Sequence, residues 1–254
     1  MPSDDYYDLQ AFPESYTGYD GSEIWQFIHE RICFAGCDED DTWKADFNKA
    51  VSGLHAMVSA QVTIGIQDKL ESGEAFTDAE VWRDPKVEFE RRLGVNGETP
   101  LAMENLYFCY MLLLRAVKQS RERLLQDCSS GKIGPETSEA LQAVFASSLM
   151  EEPAVDVAFN RLHDHAVNGS KETLWEARMR TRELLRIMNC VQCNKCRLHG
   201  KISVMGLSTA LQILVGRSGT GGDPKRIHRV ELAALMATLH KFATAVQFCN
   251  EMQR

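Results

Sequence analysis

The sequence lacks several features that would each define a class of protein. It has no uninterrupted apolar run of about 20 residues, the length that spans a membrane as a helix. Its acidic, polar start is not expected to act as a signal peptide. The net charge of −8 argues against general nucleic-acid binding. Because Gly-x-Gly-x-x-Gly is missing, a Rossmann dinucleotide domain is not expected either.

Strand patterns are also missing, since no segment alternates convincingly between apolar and polar residues. Apolar residues instead recur every three or four positions, which is typical of helices. We predict helices over residues 21–33, from residue 42 onward, and over 81–93, 101–126, 135–150, 171–189, 196–214 and 229–252. The expected fold is all-α, a single-domain helical bundle formed by residues 1–254 around the helices at 52–55, 106–115 and 196–214.

Three of the eight cysteines recur at an interval of three, at Cys190, Cys193 and Cys196. If the segment is helical, positions i and i+3 share a face, so the three sulfurs could lie together. Lys195 and Arg197 flank the last cysteine, and nearby cations favour a thiolate over a thiol.

Three interpretations of this cluster stay open. The cysteines could be reduced core residues, since a free cysteine is a common small core side chain. With His199 they could form a zinc or iron–sulfur site. The interpretation we favour is a redox-active dithiol. Elsewhere, Cys109 is expected to be an inert core thiol, and Cys128 is expected in an exposed loop after the helix over residues 101–126.

The sequence that follows the cysteines favours the redox interpretation. Residues 196–214 read Cys-Arg-Leu-His-Gly-Lys-Ile-Ser-Val-Met-Gly-Leu-Ser-Thr-Ala-Leu-Gln-Ile-Leu. This closely resembles the active-site region of the endoplasmic reticulum oxidoreductins, flavin-dependent thiol oxidases that regenerate protein disulfide isomerase. The resemblance implies that Cys193 and Cys196 are the catalytic pair. It also implies that Cys196 is nearer the flavin and that the substrate thiol attacks Cys193.

A second segment resembles the same family. Residues 51–56, Val-Ser-Gly-Leu-His-Ala, are similar to the family's Ile-Ser-Gly-Leu-His-Ala-Ser, whose serine and histidine bind FAD. The resemblance thus implies that Ser52 and His55 bind the cofactor. The helical spacing of the apolar residues alone would favour the interpretation of His55 as a buried core residue. Gly53 is expected to let a flat ligand approach closely.

The remaining cofactor contacts that the resemblance implies are Thr17, Tyr19, Trp25 and Arg92. The first three belong to a segment similar to the family's flavin-binding entry, and from residues alone they could form an aromatic loop packed on the core. Arg92 stands in Phe-Glu-Arg-Arg-Leu, which resembles the family's Phe-x-x-Arg-Phe, and would offset phosphate charge. It could instead be a surface arginine.

The chain departs from the family in two respects. Ser15 and Ala102 stand where the family has arginines, so a member that has lost FAD is an alternative. No cysteine precedes Cys33, whereas the family carries an N-terminal Cys-x4-Cys shuttle. We therefore expect a catalytic core without its shuttle segment and signal peptide. Alternatively, Cys33 and Cys37 are the close-spaced pair that could relay electrons, or the substrate reaches Cys193 directly.

The resemblance implies a thiol oxidase that makes disulfides de novo. FAD would lie between bundle helices and pass electrons to O₂, giving H₂O₂. The expected partner is protein disulfide isomerase or another thioredoxin-fold dithiol protein in the lumen of the endoplasmic reticulum. The glycosylation sequon at Asn168 fits that compartment, and peripheral membrane association is left open. The alternative is a non-catalytic helical protein with structural zinc at the Cys/Cys/Cys/His run.

Overall fold

The structure of the 254-residue chain is a computed structural model. It describes residues 28, 42–73, 87, 101–131, 133–147, 150, 171–189, 194–216 and 227–252.

Within these ranges the regular structure is helical, and no strand occurs among them. The named helices are α1 (Thr42–Ser72), α2 (Leu101–Ser129), α3 (Pro135–Ala146), α4 (Lys171–Met188), α5 (Asn194–Gly216) and α6 (Arg229–Met252). The prediction of an all-α helical bundle is therefore confirmed.

Helix α2 lies at the centre of the bundle. It packs against α1 on one side, against α5 and α6 on others, and against α3 near its C-terminal end. Its first half is apolar nearly all round, and Leu112, Leu113 and Val117 are fully buried. A helix that is apolar on every side is stable only when other elements surround it. Helices α5 and α6 form a second close pair, and α4 packs against α5.

Two glycines allow these helices to approach closely. A Cβ at Gly53 on α1 would lie 2.5 Å from Cys109 Sγ and 2.9 Å from the carbonyl carbon of Asn105 on α2. A Cβ at Gly206 on α5 would lie 2.5 Å from the carbonyl oxygen of Ala234 on α6. We expected Gly53 to make room for a ligand. The structure corrects this, because the missing side chain faces the backbone of α2.

The C-terminal ends of α2 and α3 differ most from those predicted. Helix α2 continues to Ser129, so Cys128 lies within it and is half-buried, and the prediction of an exposed loop is wrong. The end is set by Ser129 Oγ, which donates to the Gln126 carbonyl oxygen at 2.9 Å, and by Gly131, whose φ is 71°. Helix α3 stops at Ala146, where Ser147 Oγ donates to the Val144 carbonyl oxygen at 2.7 Å.

Helix α6 begins and ends at the predicted residues, 229 and 252. By length and composition alone it could cross a membrane. However, Leu235, Phe242 and Ala245 are fully buried, and α6 packs against α5, α2 and α1. This packing is that of a core helix in a globular protein.

Candidate functional site

Cys196 is the third residue of α5, in the first turn of this core helix. The unpaired N–H groups at the N-terminus of a helix favour nearby negative charge. Of the other two cysteines in the cluster, Cys190 and Cys193 lie outside the described residues, so the expected grouping of three sulfurs on one turn stays a prediction.

The turns of α5 that follow Cys196 are fastened to α6 by Lys241. Its Nζ donates to the His199 carbonyl oxygen at 3.3 Å and to Ser203 Oγ at 3.2 Å. Ser203 Oγ in turn donates to the His199 carbonyl oxygen at 2.9 Å. Burial lowers the pKa of Lys241 below its ordinary value, because desolvation disfavours the charged form. These two contacts hold the Lys241 amino group about one to two helical turns after the position of Cys196.

The same lysine connects this region to α1. Gln61 on α1 donates from Nε2 to the backbone carbonyl oxygen of Lys241 at 3.1 Å. A series of hydrogen bonds thus runs from α1 through α6 to the N-terminal turns of α5. These hydrogen bonds fix α1, which carries Ser52 and His55, relative to α5, which carries Cys196 in its first turn.

Ser52 and His55 are both half-buried on α1. His55 follows Gly53 by two residues, which turns it about 200° around the helix, away from the contact with α2. Ser52 is about 100° from Gly53 and lies on the same side as His55. The structure thus places both predicted cofactor residues on a face of α1 that α2 does not cover.

Ala102, where the resemblance would place an arginine, lies on α2 and packs against the apolar core. An alanine fits this position without a charge to desolvate. The other predicted site residues are outside the described part of the chain. They are Thr17, Tyr19, Trp25, Arg92 and Cys193, together with Ser15, Cys33, Cys37 and Asn168.

Cys109 is an inert core thiol, as predicted. It is fully buried, forms no disulfide, and donates from Sγ to the Ala50 carbonyl oxygen at 3.3 Å. Burial raises the pKa of Cys109 far above its ordinary value of 9.0. Burial likewise raises the pKa of Cys249 on α6 to about 12. Neither thiol offers a thiolate for redox chemistry.

We expect Cys109 and Cys249 to resist alkylation by iodoacetamide in the folded protein at mildly alkaline pH, while half-buried Cys128 reacts. The reagent attacks thiolates, and Cys249, with a pKa of about 12, stays protonated below that pH. Mass spectrometry of tryptic peptides after timed quenching measures each cysteine. In denaturant all three should react alike. Labelling of Cys109 at the Cys128 rate in the folded protein would contradict its burial.

No group of three His, Cys, Asp or Glu side chains within the described ranges could hold a metal ion. This does not test the zinc alternative, because Cys190 and Cys193 lie outside those ranges and Cys196 is described by its backbone alone. Of that run, His199 is described, and it is exposed on α5.

Sequence reasoning missed two residues of this region, Lys241 and Gln61. Lys241 does carry a local signal, since it stands on α6 between the buried positions Thr238 and Ala245. A charged residue at core spacing indicates a specific polar partner. Gln61 carries no such signal, because its partner is 180 residues away in the sequence.

Fold and site together define an all-helical protein with a cysteine motif at the start of a core helix. The sequence matches the family model of Endoplasmic Reticulum Oxidoreductin 1 (ERO1) over residues 2–249. The chain belongs to this family.

Individual relatives agree with that assignment. The chain is 29% identical to endoplasmic reticulum oxidoreductin-1 of Kluyveromyces lactis, with 97% of this chain and 42% of the relative covered. It is 27% identical to ERO1-like protein alpha of Homo sapiens, and the match covers 97% of this chain and 60% of that relative. A solved structure of Ero1p superimposes on this chain with a TM-score of 0.70 at 26% sequence identity. The superposition covers 97% of this chain and 64% of the Ero1p chain. The chain thus spans about half the length of these curated relatives.

Proposed function

We propose that the protein is a thiol oxidase that makes disulfides de novo in dithiol proteins. It would use the Cys193–Cys196 pair and bound FAD, with O₂ as the final electron acceptor. The observation that carries this proposal is the position of Cys196, in the first turn of a core helix of an ERO1-family chain. Ero1p, whose solved structure resembles this chain, is described as the "Source of Disulfide Bonds for Oxidative Protein Folding in the Cell", which is the same chemistry in that protein.

The described residues fit a flavin cofactor. Ser52 and His55 offer a hydroxyl and an imidazole from a half-buried face of α1, groups that hydrogen-bond phosphates, ribose or ring nitrogens. When bound, FAD would accept two electrons from the reduced cysteine pair and pass them to O₂, giving H₂O₂. The residues proposed to hold it are Thr17, Tyr19, Trp25, Ser52, His55 and Arg92.

The cysteines carry out thiol–disulfide exchange. A substrate thiolate attacks Cys193 Sγ, the Cys193–Cys196 bond breaks, and Cys196 leaves as a thiolate. The second substrate thiol then attacks the substrate sulfur of the mixed disulfide, which releases the oxidised substrate. Two electrons and two protons have then moved from the substrate dithiol to the cysteine pair. The N-terminus of α5 and the adjacent Lys195 and Arg197 favour the departing thiolate.

The partner proposed for this chemistry is protein disulfide isomerase or another dithiol protein with a thioredoxin fold. A location in the endoplasmic reticulum lumen is supported by the names of relatives from Kluyveromyces lactis and Arabidopsis thaliana, both endoplasmic reticulum oxidoreductins. The sequon at Asn168 agrees with that compartment.

A flavin spectrum and an oxygen electrode test the proposal. We expect the purified chain, incubated with FAD and freed of excess, to keep the visible flavin absorption. Adding dithiothreitol or a reduced thioredoxin-fold protein without O₂ should bleach it. With O₂ present, one H₂O₂ should form per disulfide made. Dithiothreitol is included because a small dithiol needs no relay segment to reach Cys193.

Protein that is first reduced and then alkylated serves as the control and should bind FAD without bleaching. If the protein is colourless and contains stoichiometric zinc, the thiol oxidase proposal is wrong and the structural zinc site is supported. Protein that holds neither flavin nor zinc would favour a family member that has lost FAD.

A further inference from the structure

Helix α4 carries a row of arginines on its solvent-facing side. Arg178, Arg182 and Arg186 are spaced i, i+4 and i+8, so they lie within about 80° of one another around the helix. All three are exposed, whereas Leu184 and Met188 are buried on the side that faces the core. This arginine row extends about 12 Å along the helix, from the 1.5 Å rise per residue.

Two of the four arginines of α4 are neutralised within the helix. Arg180 Nη2 lies 2.8 Å from Glu176 Oε1, and Arg186 Nη2 lies 3.0 Å from Glu183 Oε1. The carboxylates of α4 therefore offset the charge of Arg180 and of one end of the arginine row.

The other two arginines differ, since Arg178 and Arg182 form no ion pair with any residue that the structure describes. Two like charges four positions apart on a helix repel each other, so this pair costs the helix stability. A carboxylate from outside the chain would offset that repulsion. The guanidinium group suits this contact, because it binds a carboxylate through two parallel hydrogen bonds.

The positive charge is concentrated around the cysteine motif. Residues 178–201 contain seven Lys or Arg and one Glu, although the whole chain has 28 basic and 36 acidic residues. Helix α4 ends at Met188, α5 begins at Asn194, and the two helices pack against each other. The connection between them, residues 189–193, holds Cys190 and Cys193. The arginine row therefore leads to the segment that carries Cys193.

We propose that the arginine row docks an acidic surface of the dithiol protein that is the substrate. This inference rests on the proposed function. A chain of net charge −8 repels an acidic protein over most of its surface and attracts it where positive charge is concentrated. Such a charge pattern speeds the encounter and selects one orientation of the partner. The arginine row thus brings the substrate dithiol to Cys193.

The test uses a thioredoxin-fold protein of net negative charge, labelled with a fluorophore and with its two reactive cysteines replaced by serine. Fluorescence anisotropy measures its binding to the full chain and to the variant Arg182→Glu. At low ionic strength we expect the variant to raise the dissociation constant about fivefold to tenfold. The difference should shrink as salt screens the charges. Oxidation of dithiothreitol by the FAD-loaded variant should match the wild type, because a small neutral dithiol needs no docking surface.

Arg229→Glu is the matched control, since it changes the net charge by the same amount. Arg229 is the exposed first residue of α6. It lies about 18 Å along α6 from Lys241, the residue that contacts the N-terminal turns of α5. This variant should bind the acidic protein with nearly the wild-type affinity.

Equal affinities of the wild type and Arg182→Glu for the acidic protein would overturn this inference. Normal oxidation of dithiothreitol in the same preparation would then leave the proposed function standing. A wild type that does not oxidise dithiothreitol would overturn the proposed function, and with it the role of the docked protein as substrate. An equal loss of affinity in Arg229→Glu would show an effect of net charge and contradict a specific surface.

Two other occupants of the arginine row have their own signatures. If Arg182→Glu loses binding to vesicles that contain phosphatidylserine while its affinity for the acidic protein is unchanged, the row binds a membrane surface and the inference is wrong. If the wild type sediments as a dimer and Arg182→Glu as a monomer, the row contacts a second copy of this chain, which also overturns the inference. Wild type and variant that both sediment as monomers, with weaker binding of the acidic protein by the variant, support it.

Discussion

Replacing Gly53 by alanine is expected to destabilise the protein by about 1–3 kcal/mol, the usual cost of adding volume to a packed helix contact. The new Cβ would meet the Asn105 backbone and lie 2.5 Å from Cys109 Sγ. Backbone atoms of α2 cannot rotate aside as a flexible side chain can, so the α1–α2 distance must increase. Chemical denaturation followed by circular dichroism measures the loss as a lower midpoint with an unchanged slope.

Gly65→Ala is the matched control in the same helix. Gly65 is exposed, and a Cβ there would have no atom within 4 Å. Alanine has a higher helix propensity than glycine, so this variant should gain up to about 1 kcal/mol. Opposite signs for the two substitutions would confirm that the α1–α2 contact, and not helix propensity, decides the effect at Gly53. A loss of the same size at both positions would contradict it.

Helix positions could be predicted from the sequence where apolar spacing is regular. In α6, Leu232, Leu235, Leu239 and Phe242 recur every three or four residues, and the observed helix begins and ends where this pattern predicts. Helix ends were less predictable. The end of α2 depends on Ser129 and Gly131, and the polar residues before them resemble a solvated loop in composition.

The candidate site was predicted less completely than the helices, because some of its contacts join residues far apart in the sequence. Cys196, Ser52 and His55 lie in contiguous motifs, so a resemblance to a family can find them. Lys241 contacts residues 38 and 42 positions away, and its core spacing on α6 indicates a polar partner without identifying it. Gly53 was found but interpreted wrongly, because a glycine in a helix is compatible with a nearby ligand and with a nearby helix. The position of the α2 backbone beside Gly53 distinguishes the two.

These long-range contacts show how the bundle positions the two halves of the candidate site. Ser52 and His55 are carried by α1, whereas Cys196 lies in the first turn of α5. The bonds from Gln61 to Lys241, and from Lys241 to His199 and Ser203, cross α6 and connect both helices. Under the proposed function, electron transfer between Cys196 and FAD would need a close, fixed approach, and these hydrogen bonds would help to maintain it.

Cys196→Ala is expected to slow the reduction of bound flavin by a dithiol on the order of 10³-fold or more, the scale seen when a nucleophile is removed. Without Cys196, Cys193 loses its proposed disulfide partner, and the substrate loses the Cys193–Cys196 bond with which it exchanges. FAD binding should persist, because Ser52 and His55 on α1 are unchanged. Anaerobic stopped-flow absorption with dithiothreitol measures the rate of bleaching.

Cys128→Ala is the control for this prediction. Cys128 is a half-buried thiol near the C-terminal end of α2 and is not part of the cysteine cluster. Its replacement should leave both FAD binding and the rate of flavin reduction close to wild type. The pair of variants separates redox chemistry at one sulfur from a general effect of losing a thiol. Unchanged bleaching in Cys196→Ala, with FAD bound normally, would mean that electrons reach the flavin by another route.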